Sequence, residues 1–237
     1  MNPDIEKTFN SLKKNNFTVR YAEKAEDVAD IILELIPENA TLEMAGSISV
    51  DQTGVKKLLI ERGNGGILPD EEGFNPYVVH KTRKDVLLVS TNAVTLDGKL
   101  VNIDGMGNRV TGMVYGPAKT ILVVGRNKIV KDVDEALNRV QNVIAPYHAK
   151  NMGVPTPCSK TGKCEDCSSP ARICNITTII NKKPPGMDFT IILVNEDLGL
   201  GWDPEWPEER REKIAAAYRD EWQNLMELMG GPPKRDH

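Results

Sequence analysis

The amino-acid sequence predicts an α/β protein built on a three-layer, mostly parallel sheet. Two observations carry that expectation. Asp85–Ser90 (DVLLVS), Thr120–Gly125 (TILVVG) and Phe189–Val194 are short continuous apolar runs, the mark of strands covered on both faces. Around them lie segments whose apolar residues recur at helical spacing, and such alternation places helices on both faces of a parallel sheet. At 237 residues, 40% hydrophobic and 27% charged, the chain is long enough to bury the core this requires.

The elements follow in order. Residues 3–15 read as a helix: Pro3 suits the first turn, Asp4 and Glu6 its positive end, and Ile5, Phe9 and Leu12 form an apolar stripe. A second helix runs from Glu23 to Ile36, with Val28, Ala29, Ile32 and Leu35 at helical spacing, and Pro37 stops it. Thr41–Ala45 reads as a short buried strand closed by Gly46, with a helix through Val55, Leu58 and Leu59 after it. In TLDGKLVNID (Thr95–Asp104), Asp97–Gly98 is a hairpin turn. Asp132–Ala145 reads as a capped helix with Val133, Ala136, Val140, Val143 and Ile144 inward, ended by Pro146. Pro207–Met229 is a long charged helix whose stripe of Ile214, Tyr218, Trp222, Leu225 and Met229 is expected to pack on the domain's own flank, with a homodimer contact as the other use. This places an α/β domain at 1–200, and a terminal helix with a loose tail at 201–237.

Several function classes are disfavoured. A net charge of −4 argues against nucleic acid or an anionic membrane as partner. The opening MNPDIEKTFNSLKKNN has no apolar signal core, and no apolar run approaches the ~18–20 residues that span a bilayer. A cytoplasmic protein is expected.

Open α/β sheets bind ligands at the carboxyl ends of their strands. Four loops there carry small polar residues. Gly46, Ser47 and Ser49 follow the first strand, where a serine is placed to cap the next helix and leave amides for an anion. Ser90, Thr91 and Asn92 close the second strand; Gly125, Asn127 and Lys128 close the third, with Arg126 between them. Asn102, Asp104, Gly107, Asn108 and Arg109 form the fourth piece, in which Asp104 is a candidate base and Arg109 a carboxylate or phosphate clamp. Taken singly, each is equally well read as turn chemistry; four loops meeting at one edge favour a small anionic ligand, with Asp104 and Lys128 as catalytic candidates. His80 and His148 stand isolated and read as ordinary structural or surface histidines.

Cys158, Cys164, Cys167 and Cys174 fall in PCSKTGKCEDCSSPARICN, a C-x5-C-x2-C-x6-C pattern. Unliganded thiols have no packing reason to cluster, and disulfides are disfavoured where thiols are kept reduced. One metal centre is expected; tetrahedral zinc and a [4Fe–4S] cluster both suit the spacing.

These residues together resemble the lactate-utilisation (LUD) domain family, in its compact single-domain branch with a cysteine-rich tail. The resemblance lies in Gly46–Ser47, STNAVTLDGKLVNIDGMGNRV (Ser90–Val110), YGPAKTILVVGRNKIV (Tyr115–Val130) and the cysteine segment through Asn175, covering about residues 3–200. It implies a fold similar to the glucosamine-phosphate deaminase, ribose-phosphate isomerase and CoA-transferase group, and a role beside iron–sulfur proteins that oxidise lactate. That context favours an iron–sulfur cluster over zinc. Two places depart from the family pattern: Leu96 lies where an acidic neighbour is expected, and Glu43–Met44–Ala45 is a leaner lead into Gly46. Three functions follow. The chain is a redox component of hydroxy-acid oxidation with an iron–sulfur oxidoreductase partner, or a non-redox enzyme or binding module with structural zinc and a phosphorylated or CoA-linked ligand, or an accessory protein that stabilises a complex.

Overall fold

The computed structural model describes residues 1–44, 46–66 and 84–228. The chain runs through α1 (Pro3–Lys14), β1 (Thr18–Ala22), α2 (Asp27–Leu35), β2 (Leu42–Glu43), α3 (Ile48–Asp51), α4 (Val55–Glu61) and β3 (Val86–Val89). It continues through the hairpin β4 (Ala93–Thr95) and β5 (Leu100–Asp104), then α5 (Asn108–Tyr115), β6 (Lys119–Gly125) and β7 (Ile129–Val130). Then come α6 (Val133–Arg139), α7 (Ala145–Asn151), α8 (Pro157–Thr161), β8 (Ile176–Ile180), β9 (Asp188–Val194) and α9 (Glu208–Leu228).

Side-chain alternation in the apolar runs decides how these elements layer. The five strands ordered β1-β9-β6-β3-β2 form one wholly parallel sheet. Val86, Leu88, Ile121, Val123, Ile192 and Val194 point to one face, where they meet Val28 and Ile32 of α2 and Val55 and Leu59 of α4. Leu87, Val89, Leu122, Val124, Ile191 and Leu193 point to the other, against Ile5 and Leu12 of α1 and Met113 of α5. Each large side chain buried in this way stabilises the fold by about 1.5–3 kcal/mol relative to exposure. The predicted three-layer, mostly parallel α/β architecture is the one found.

A second sheet was not separable by pattern. Strands β7-β4-β5-β8 form a mixed sheet. Its Val94 and Leu100 join the core of the parallel sheet, while Ala93, Val101 and Ile103 face a third core made by α6, the following turn and Tyr218 and Leu225 of α9. The terminal helix therefore packs on the domain's own flank; Met229 of its stripe lies outside the described residues, as does His80.

Several local expectations need correction. The strand at Thr41–Ala45 is reduced to Leu42–Glu43, and Ala45 lies outside the described residues. The second helix begins at Asp27, because residues 23–26 form bends and a turn in which the Lys24 amide donates to Asp27 Oδ2 at 3.0 Å and the Ala25 amide to Glu196 Oε2 at 2.8 Å. Gly54, at φ +71°, splits the next helix into α3 and α4. The Asn102–Arg109 piece is not one loop: it is the end of β5, a tight turn, and the start of α5. Pro146 does not end its helix. Val140–Ile144 form a π-helical turn, and Pro146 sits in the first turn of α7 beyond it. A proline there removes an amide and crowds the carbonyl four residues back, and a widened turn accommodates both. This helical stretch packs on the mixed sheet, not on the parallel one.

Candidate functional site

The carboxyl ends of β3 and β6 and the start of α3 meet over one buried lysine. The chain leaves β6 at Gly125 and makes a 3-10 turn over Arg126–Lys128, which drives Lys128 inward to 5% exposure. Its Nζ donates to Ser49 Oγ and Ser90 Oγ, both at 2.8 Å, and to the Thr91 carbonyl at 3.1 Å. Burial, with the Arg109 charge adding to it, pushes Lys128 down to about 7.

Thr91–Asn92 is the hub that joins this lysine to the other polar groups. Thr91 Oγ1 donates to Asn102 Oδ1 at 3.1 Å, and the Asn92 amide reaches the same oxygen at 3.2 Å. Asn92 Oδ1 accepts from Arg109 Nη2 at 3.0 Å and from the Ile103 amide at 2.9 Å, and Arg109 Nη2 also donates to the Ile103 carbonyl at 2.7 Å. Two donors in this network have no hydrogen-bond partner: Asn102 Nδ2, on a residue with 0% exposure, and Arg109 Nε. Asp104 lies 3.8 Å from Arg109 Nε, while its carboxylate accepts the Val110 amide at 3.2 Å and the Met106 amide at 3.4 Å. It thus ties down the first turn of α5 while facing the guanidinium.

The structure therefore brings together Ser49, Thr91, Asn92, Asn102, Asp104, Arg109 and Lys128. The other sequence candidates have different work. Gly46 is exposed at φ +62°, and Ser47 precedes α3 without a capping hydrogen bond from its side chain, so the expected serine cap is not formed. Ser49 lies inside that short helix and serves Lys128 instead. Asn127 spans to the 198–201 loop, accepting the Leu198 amide at 2.9 Å and donating to the Gly201 carbonyl at 2.9 Å. Gly125 lies beneath that loop, where a Cβ would stand 2.5 Å from the Leu198 nitrogen. Gly107 supplies the left-handed entry to α5, and Asn108 is exposed.

Two contributors escape sequence reading, and a third, Ser90, reads only as part of the loop that closes its strand but holds Lys128. Gly199, at φ +64°, packs so closely that a Cβ there would come 2.2 Å from Ser49 Oγ and 3.2 Å from Lys128 Nζ. His148, isolated in sequence, lies 2.5 Å from the Tyr218 hydroxyl through Nδ1 and edge-on to Trp222 at 5.2 Å. Burial, with Arg109 adding, pushes His148 down to about 4, so it is neutral at physiological pH.

The cysteine segment begins on α8 and returns to the site. Its four cysteines are free and half-buried. Thr156 Oγ1 lies 3.3 Å from Cys158 Sγ, and Arg172 braces the loop by donating to the carbonyls of Cys167 at 2.7 Å and Cys174 at 3.2 Å. Burial pushes the Cys174 thiol up; Arg172 opposes this, and Cys164 and Cys158 add to it. Among the described residues, no group of three or more histidine, cysteine or acidic side chains is gathered as a metal site. The donor chemistry fits a soft metal or cluster. Asn175 then docks the segment onto the β5–α5 turn: its amide donates to the Asp104 carbonyl at 3.0 Å and its side chain to the Gly105 carbonyl at 2.9 Å.

Fold and site define an α/β protein with a donor-rich polar cluster at the strand ends and a cysteine loop seated beside it. The LUD domain family model matches residues 5–194, and the chain belongs to that family. A crystal structure of a DUF162 family protein from Deinococcus radiodurans is similar at 15% identity and a TM-score of 0.44, over 81% of this chain and 95% of that one. No curated protein matches the chain. No described helix is long and apolar enough to cross a membrane.

Proposed function

We propose that the chain binds a small hydroxy- or oxo-acid at the Thr91–Asn92 hub and serves as a component of lactate or hydroxy-acid oxidation. One observation carries the reading: Asn102 Nδ2 and Arg109 Nε are buried donors without a hydrogen-bond partner, the latter with only the long 3.8 Å ion pair to Asp104, in the same network as Lys128. An unmet buried donor costs about 1–3 kcal/mol, and a carboxylate supplies acceptors for both. Asp104 and Lys128 are the proton-handling groups of this site, Lys128 because it titrates near neutrality. The family to which the chain belongs supports the lactate context.

In the same reading, Cys158, Cys164, Cys167 and Cys174 hold a [4Fe–4S] cluster. When bound, such a cluster supplies one-electron transfer to an iron–sulfur oxidoreductase partner. The residues themselves do the binding and orienting: Arg172 shapes the loop, and Asn175 holds it against the turn that carries Asp104.

Two measurements test this. Calorimetric titration with lactate and pyruvate should show binding that weakens at least about tenfold in Arg109→Gln, the loss of one charge-assisted contact. Asp104→Asn should leave binding nearly unchanged and lower turnover with the partner. No binding of either acid, or equal binding to Arg109→Gln, removes the anion site. The optical spectrum of anaerobically purified protein decides the centre: broad visible absorbance supports the cluster, whereas a colourless protein with stoichiometric zinc refutes it.

A further inference from the structure

We propose that Lys128 is a nucleophilic amine that forms a Schiff base with the carbonyl carbon of a 2-oxo acid whose carboxylate sits at the Thr91–Asn92 hub. This rests on the hub being a carboxylate site and adds a covalent role to it.

The geometry sets Lys128 apart from a structural lysine. Buried lysines are normally paired with a carboxylate. Among the described residues no carboxylate pairs with Lys128; its Nζ meets only two hydroxyls and a backbone carbonyl, and the nearby charge is the positive Arg109. Desolvation beside a second cation is one of the recognised ways to make a lysine amine nucleophilic. The same peptide segment positions both halves of a 2-oxo acid: the Thr91 carbonyl holds Nζ, while Thr91 Oγ1 and Asn92 hold the residues bearing the two unpartnered donors. Gly199 packs directly against the lysine, where a Cβ would lie 3.2 Å from Nζ, so only glycine lets the chain close over it. The downward shift to about 7 accords with this, giving a neutral fraction at pH 7 roughly a thousandfold above that of an ordinary surface lysine.

The step balances without an oxidant or reductant. The neutral amine attacks the carbonyl carbon, and the amine proton passes to the carbonyl oxygen, giving a carbinolamine. That hydroxyl then leaves as water with one further proton, and the C=N bond forms. Ser49 and Ser90, each 2.8 Å from Nζ, are placed to relay these protons.

The experiment is reductive trapping on the full chain. Wild type is incubated with pyruvate, reduced with sodium borohydride and mapped by peptide mass spectrometry, with calorimetry of pyruvate binding in parallel. The expected result is one reduced pyruvyl group on the peptide carrying Lys128, at occupancy at least about tenfold above any surface lysine, as the difference in neutral fraction requires. Lys128→Arg should lose that single label and keep the weak surface background. Should Lys128→Arg not fold, the wild-type map decides alone. Pyruvate binding without a label at Lys128, or labelling no stronger there than at surface lysines, overturns the Schiff base and leaves the carboxylate site standing. Absence of both label and binding overturns both.

Discussion

Replacing Lys128 by methionine isolates the cost of a buried ammonium. In the native protein Lys128 titrates near 7, against an ordinary value of 10.5. The unfolded chain thus binds more protons than the native one between those values, so native stability contributed by this group rises with pH across that window. Over the whole interval the linkage amounts to about 5 kcal/mol, and between pH 6 and pH 9 to about 2.7 kcal/mol. Lys128→Met removes this slope, though it also leaves the Ser49 and Ser90 hydroxyls and the Thr91 carbonyl without their donor. That second loss is nearly independent of pH, so only the difference in slope reads the lysine. Urea unfolding of both proteins at a series of pH values should show wild type gaining about 2–3 kcal/mol on the variant from pH 6 to pH 9. The cysteines and tyrosines that titrate in the same range cancel in the comparison. Parallel curves for the two proteins would mean that Lys128 keeps an ordinary titration, and the account of its burial would be wrong.

Three further outcomes follow from the same structure. Asp51 faces a cavity of about 390 Å³ between α4 and α9, its Oδ2 has no partner, and burial pushes its carboxyl up to about 6. The stability it contributes is therefore present below pH 3.8 and lost as pH rises through 6, so Asp51→Asn should be more stable than wild type at pH 7.5 by up to about 3 kcal/mol; an unchanged or lower melting temperature contradicts this. Gly199→Ala combines a strained positive φ with overlap on Ser49 and should lower unfolding free energy by about 2–4 kcal/mol in denaturant titration. His148→Phe strips the Tyr218 hydroxyl of its acceptor at a cost of about 1–3 kcal/mol, and the wild-type imidazole should show no NMR titration between pH 5.5 and 8; a midpoint near 6.5 would place it in solvent.

The parallel sheet was legible because Leu87, Val123 and Ile192 belong to runs apolar on both faces, a pattern few other structures need. The mixed sheet was hidden for the same reason. Val94 and Val101 are also buried, on opposite faces, so their sequence looks like more of the first sheet. Strand β1 (TVRYA) alternates, with Thr18 and Arg20 exposed at the sheet edge, and so lacks the continuous apolar run that marks the central strands. At the site, Thr91, Asn92, Asn102, Arg109 and Lys128 were named from loop position alone, and the sheet's topology brings them together. Gly199 and His148 were not, since their importance arises from what sits beside them across 70 residues of chain or more. Gly46, Ser47 and Asn108 show the converse: turn residues that sit where turns sit, with no side-chain hydrogen bond into the Lys128 network.

The π-helical turn at Val140–Ile144 behaves as a one-residue insertion within an otherwise continuous helix. A π-helical turn takes up about one residue more than an α-helical turn, so deleting one residue within it would restore ordinary winding with little rotation downstream, whereas deleting one from the α-helical stretch before it would swing everything downstream by about 100°. His148 and Tyr147, which now meet Tyr218 and Trp202, would be carried off that face together. Indel scanning along 136–144 should thus find a phase requirement that point substitutions at the same positions do not reveal. The seating of the terminal helix is written into the length of this segment as much as into its side chains.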